Sequence, residues 1–186
     1  MSSEVSAGEI GMRSHPKATH YSLWLMPTGE VRQRLAATIL DLSRQYAAPT
    51  FEPHVTLAGG IAGPAREVVA KMAELARRIP PFTIRLTEVD FLDEYFRCLF
   101  VRVAQTQPIM KANKVAQAVF SLEKQPTFVP HLSLLYADLP SGVKERIVAS
   151  LGRRLELDFK VSDLHLYRIK GEVAAWCRTA RFDLGL

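Results

Sequence analysis

The sequence predicts an α+β protein of two similar lobes related by a pseudo-twofold axis, and three observations carry that prediction. Apolar residues alternate between strand-like and helix-like spacing along the chain. The heptapeptide F-x-P-H-[VL]-[TS]-L occurs twice, at Phe51–Leu57 and at Phe128–Leu134, offset by 77 residues. The order strand, helix, H-x-[TS] strand, helix, strand recurs around each copy at that same offset. With 186 residues the chain suits one substantial domain or two small lobes sharing an interface. Two repeats are too few for a solenoid, so paired lobes that bring His54 and His131 to one cleft are the natural solution.

The elements follow in order. Tyr21–Met26 reads as a strand with Tyr21, Leu23 and Leu25 on one face, ended by Pro27. Val31, Leu35, Ile39 and Leu42 recur at helical spacing from Gly29 to Tyr46. His54–Ala58 reads as a strand, Gly59, Gly60 and Gly63 as a loop, and Pro64 as the first residue of a helix that runs to the Pro80-Pro81 stop. Phe82–Leu92 and Arg97–Ala104 form a strand pair around Asp93 and Glu94, and Pro108 opens a helix to Leu122. A strand over His131–Ala137 and a helix over Pro140–Arg153 come next. Two long strands, Leu157–Lys170 and Val173–Leu184, meet at Gly171-Glu172. Residues 1–18 read as a flexible tail and 19–186 as one bilobal domain.

Composition narrows the class. Hydrophobic residues at 48% and charged residues at 23% describe an ordinary globular chain and exclude extensive disorder. No apolar run approaches the roughly 18 to 20 residues of a membrane span, and the polar N-terminus lacks the apolar stretch of a secretory signal. The net charge of +5 draws anions mildly, but the basic pairs Arg77-Arg78 and Arg153-Arg154 sit in helices as solvated faces, with no clustered nucleic-acid stripe. Cys98 and Cys177 stand in apolar runs with no CxxC partner, so both are expected to be buried thiols of a cytoplasmic protein.

The two heptapeptides carry the chemistry. Strand residues two apart share a face, so His54 with Thr56 and His131 with Ser133 each set an imidazole beside a hydroxyl. Imidazoles titrating near pH 6.5 can supply one neutral base and one protonated acid, while the hydroxyls hold a bound oxyanion. That set suits in-line displacement at phosphorus with no metal and no cofactor. A lone H-x-T is commonly a packing histidine; the same motif twice, at one repeat position, is not. His15, His20 and His165 lack the motif and read as structural.

The residues Y-S-L-W-L-M-P at Tyr21–Pro27, F-E-P-H-V-T at Phe51–Thr56 and P-H-L-S-L-L-Y-A at Pro130–Ala137 resemble the 2H phosphoesterase superfamily, and within it the cyclic phosphodiesterases of plants and yeast. The resemblance runs from about Tyr21 to the C-terminus. It implies two antiparallel sheets backed by outer helices, with a cleft between the lobes. It further implies hydrolysis of ADP-ribose 1″,2″-cyclic phosphate to ADP-ribose 1″-phosphate and of nucleoside 2′,3′-cyclic phosphates to 2′-nucleotides. His54 and His131 become the acid–base pair, Thr56 and Ser133 the phosphate donors, Tyr136 the tyrosine after the second motif, and Trp24 and Phe96 aromatic positions near the cleft. Strand alternation puts Tyr136 on the face opposite His131, so its membership requires a bulge or a strand end. For Trp24 and Phe96, core packing competes with a stacking surface for a base. The expected partner is a small cyclic phosphate bound by a monomer. The alternatives are a 2′-5′ RNA ligase-like protein acting on RNA cyclic phosphate ends, and a nucleotide-binding module without turnover.

Overall fold

The computed structural model describes residues 21–122 and 127–186. The tail expected over residues 1–18, with His15 and His20, lies outside the described residues.

Among the described residues eight strands and four helices follow in the order β1 (Tyr21–Leu25), α1 (Gly29–Gln45), β2 (Val55–Ile61), α2 (Ala65–Arg78), β3 (Phe82–Asp90), β4 (Leu99–Val103), α3 (Gln107–Phe120), β5 (His131–Leu135), α4 (Ser141–Leu151), β6 (Arg154–Val161), β7 (Asp163–Arg168) and β8 (Cys177–Asp183). The strands form one antiparallel sheet in the order β6-β3-β4-β5-β2-β1-β7-β8. The two sheets expected from the resemblance are therefore two four-stranded halves of a single sheet. They join at one registered pair, Val55 with Leu132.

The strand predicted over Leu157–Lys170 is corrected to two. β6 pairs with β3 at one end of the sheet and β7 pairs with β1 in the other half, with only Ser162 between them. A single residue linking opposite regions of the order requires the sheet to curl. The first repeat is also redistributed: β3 follows α2 in sequence but pairs with β4, to which a short connection through a 3-10 turn at Tyr95–Arg97 joins it. β2 extends through the predicted glycine loop to Ile61, and Gly60 at φ 70° takes there a left-handed conformation that a side chain would strain. Val173–Ala175 is a 3-10 turn, so β8 begins later than predicted.

Residues facing away from the cleft, among them Leu23, Leu25, Val55, Leu57, Leu132 and Leu134, are almost fully buried against the helices. Each such side chain contributes about 1.5–3 kcal/mol of burial. The helices interlock the halves, since α1 packs on β5 and α3 on β2. Lys144 of α4 is buried too, donating from Nζ to the Leu92 carbonyl at 2.9 Å and to Asp93 at 3.2 Å. Cys98 is buried as expected; Cys177 is exposed, because it opens a strand at the sheet edge. Among the described residues no helix is long and apolar enough to cross a membrane.

Candidate active site

The junction of the halves builds the site. Val55 and Leu132 point into the core, so His54 and Thr56, like His131 and Ser133, point to the concave face. Extending this antiparallel pair by one residue sets Thr56 across from His131 and His54 across from Ser133. The two histidines then become diagonal neighbours, roughly 7–8 Å apart at the backbone. The charge effect agrees, since a charge on His131 lowers the pKa of His54.

Both rings are held alike. His54 Nδ1 lies 2.6 Å from the Glu52 carbonyl and His131 Nδ1 lies 2.9 Å from the Val129 carbonyl. A carbonyl only accepts, so each Nδ1 carries the hydrogen and each Nε2 is left for chemistry. In both copies proline stands between acceptor and histidine, and its fixed φ sets the carbonyl at that distance.

An aromatic ring from the neighbouring strand backs each imidazole. Trp24, registered opposite Thr56, stacks on His54 at 3.5 Å and 8°. Phe100, registered opposite Ser133, meets His131 edge-on at 5.3 Å. Trp24 also stacks on Tyr167 at 3.7 Å, and two rings that close to one indole must cover its opposite faces. It is 2% exposed, with Nε1 donating to Ser22. The base-stacking expectation for Trp24 is thereby corrected: neither face is open, and the ring is a shelf under His54. Phe96 and Trp176 are only partly buried, with centroids 6.0 Å apart, and remain available to a ligand.

The hydroxyls differ. Thr56 lines a groove of about 260 Å³ with His131, Arg97 and Asn113, and among the described residues no hydrogen bond engages its hydroxyl. Ser133 is buried and donates to the Phe96 carbonyl at 3.0 Å, so its single proton is committed. Tyr136 reaches Ser133 by a hydrogen bond and stacks on Phe51 at 3.9 Å. With the Ser133 proton on Phe96, Tyr136 donates and Ser133 accepts. Tyr136 escapes strict alternation because β5 ends at Leu135 and the β4–β5 register shifts between Leu99 and Phe100. The register of β1 with β2 shifts at the corresponding place, between Leu23 and Trp24.

Burial pushes the His54 pKa from 6.5 down to about 4, with the His131 charge adding to it and the Glu52 carbonyl opposing. His131 is half-buried and is also lowered, by burial and by the Arg97 guanidinium, against the Val129 carbonyl. For His54 the unfolded chain takes up the proton first. Its contribution to stability is complete above pH 6.5 and is lost as pH falls toward 4, by about 2–3 kcal/mol at pH 4.5. Urea unfolding at pH 7.5 and 4.5 should show this loss in the wild type and a clearly smaller one in His54→Gln. Equal losses in the two proteins would remove burial as the cause.

Sequence reasoning brought together His54, His131, Thr56, Ser133 and Tyr136 and missed Phe100, Arg97, Asn113 and Tyr167. The repeat offset does carry Trp24 to within one residue of Phe100, which was the signal for the second backing ring. His165 is buried and bonded to Asp163, away from the pair.

The sequence model of the 2′-5′ RNA ligase superfamily matches residues 27–172. A cyclic phosphodiesterase of Arabidopsis thaliana is 28% identical over 125 residues, which are 67% of this chain and 69% of that protein. Among solved structures, TT0787 of Thermus thermophilus superposes with TM-score 0.66 at 18% identity, covering 90% of this chain and 98% of that one. The LigT protein of E. coli in complex with 3′-AMP superposes with TM-score 0.63 at 14% identity, covering 91% and 99%.

Proposed function

The chain belongs to the 2′-5′ RNA ligase superfamily and is a 2H phosphoesterase, and from that premise we propose that it hydrolyses ribose cyclic phosphates by two-histidine acid–base catalysis that needs no metal. The substrates are ADP-ribose 1″,2″-cyclic phosphate, nucleoside 2′,3′-cyclic phosphates, or both. The observation that carries the reading is the pair of diagonal imidazoles, each locked through Nδ1 to its own backbone carbonyl with Nε2 left over.

His54, whose pKa is near 4, is neutral at working pH and takes a proton from water at Nε2 as the water oxygen attacks phosphorus. His131, the more exposed ring, gives its Nε2 proton to the departing ribose oxygen as the ring P–O bond breaks. The product is a phosphate monoester, and the pair ends with its protons exchanged. Thr56 and the Arg97 guanidinium hold the nonbridging oxygens. Ser133 supports Tyr136, whose hydroxyl turns toward phosphate only when the Ser133 bond is given up. Phe96 is the ring left to stack on a base.

Phosphorus NMR of the products, with EDTA present, tests the reading on ADP-ribose 1″,2″-cyclic phosphate and on a 2′,3′-cyclic mononucleotide. Conversion to ADP-ribose 1″-phosphate or to a 2′-nucleotide is expected, whereas no turnover of either by folded protein sinks the reading. The kcat/KM profile is expected to be a bell whose lower limb lies near pH 4, where His54 becomes neutral, and whose upper limb lies below the ordinary imidazole range, where burial and Arg97 make His131 lose its proton. A rate still climbing from pH 6 to 8 would remove the two histidines from these roles.

A further inference from the structure

On the concave face of the first half one registered row crosses four strands: Thr56, Trp24, His165, Arg181. The next row places Tyr167 opposite Arg178. With Arg32 of α1, these outer residues line a groove of about 510 Å³. At roughly 5 Å per strand, His165 lies on the order of 10 Å from Thr56 and Arg181 about 14 Å. That is too far to touch the oxygens of the phosphate held between the two imidazoles.

The charges in this groove are unequal and partly committed. Two carboxylates face three guanidiniums, and both carboxylates are occupied. Glu52 takes Arg32 at 2.7 Å, while the buried Asp163 takes His165 Nε2 on one oxygen and Arg181 on the other, each at 2.9 Å. Arg181 also approaches Asp183 at 3.5 Å. Arg178 makes no ion pair among the described residues. His165 is 7% exposed, and its Nδ1 is buried with no hydrogen-bond partner among the described residues. Asp163 thus fixes one ring and one guanidinium beside Arg178, a guanidinium with no carboxylate partner among the described residues. A phosphate answers both guanidiniums, accepting from Arg178 and Arg181, beside a His165 that burial holds toward its neutral form with its Nε2 hydrogen on Asp163.

We propose that this groove is a second phosphate subsite for the same substrate, so that the enzyme prefers ribose cyclic phosphates bearing a further phosphate remote from the ring being opened. The inference rests on the cyclic phosphodiesterase reading and sharpens it. ADP-ribose 1″,2″-cyclic phosphate carries such a group in its pyrophosphate and a 5′-phosphorylated nucleoside carries one at C5′, while a bare nucleoside 2′,3′-cyclic phosphate does not.

The test compares kcat/KM for adenosine 2′,3′-cyclic phosphate, its 5′-phosphorylated form and ADP-ribose 1″,2″-cyclic phosphate, in the wild type and in Arg178→Gln. The added phosphate is expected to raise kcat/KM at least tenfold in the wild type, mainly through KM, and the ratio is expected to fall toward 1 in Arg178→Gln. An advantage for both phosphorylated substrates assigns the site to any phosphate; an advantage for ADP-ribose alone assigns it to pyrophosphate. Equal kcat/KM for all three overturns the proposal while leaving the activity standing. A second readout does not need turnover: inorganic pyrophosphate should shift the imidazole NMR signals of His165 in the wild type and not in Arg178→Gln. That shift without hydrolysis of any cyclic phosphate would keep the subsite and overturn the activity, and its absence would overturn the subsite.

Discussion

Alanine at His54 or at His131 is expected to lower turnover of a ribose cyclic phosphate by about 10²- to 10⁴-fold, the usual worth of one positioned acid or base. The two losses should not add. If proton removal from water and proton delivery to the leaving oxygen occur in one step, the second substitution removes help that the first has already made useless, and the double variant falls close to the worse single one. His54→Gln and His131→Gln are the better-controlled pair, because His54 is buried against Trp24 and a smaller side chain would leave a void there. A variant retaining turnover within tenfold of wild type, with an unchanged melting curve, would dismiss that histidine from the chemistry. Retained product binding by variants that no longer turn over is the outcome that separates an enzyme from a nucleotide-binding module.

Trp24→Ala is expected to cost about 3–5 kcal/mol in a urea unfolding experiment. The indole is nearly solvent-free, covered on both faces, and donates to Ser22, so its removal leaves an unfilled slot and strips His54 of its support. Trp24→Phe keeps a ring in the slot and loses the Nε1 donor, and should recover most of the stability with about 1 kcal/mol outstanding. The variants also report on His54. Water entering the slot relieves the burial that depresses its pKa, so the His54 NMR titration in Trp24→Ala should move up from about 4 toward 6.5. A loss below about 1.5 kcal/mol, or an unmoved titration, would show that the shelf lies elsewhere.

How much of this was readable beforehand follows from what each feature depends on. The convergence of His54 and His131 was legible because a repeated motif in a two-lobed fold fixes both partners, with strand alternation supplying the hydroxyls. The helices were legible from spacing and prolines: α2 runs Ala65–Arg78 between Pro64 and Pro80. The break at Ser162 was not, because strand-like residues flank it on both sides and only tertiary pairing tells β6 from β7. The register shifts between Leu23 and Trp24 and between Leu99 and Phe100 were hidden for a related reason. No proline or glycine lies between the shifted residues of β1 and β4, yet these shifts set which side chains share the cleft face. Trp24 was read as either core or ligand surface; it is core, in a small cluster with Met26 and Tyr167, and its ring also backs the His54 imidazole. Exposure of Cys177 depended on its place at an outer strand, which no local pattern encodes.

The single Val55–Leu132 pair has a mechanical consequence. Each histidine is rigid with respect to its own half, tied by its carbonyl and its backing ring, while the spacing between the two depends on one ladder position braced from behind by α1 and α3. The gap between the imidazoles is therefore set by that one registered pair and the two helices behind it. Swapping Val55 or Leu132 for a residue of different volume would reset that gap from the helix side, altering the rate with every group that touches substrate still in place.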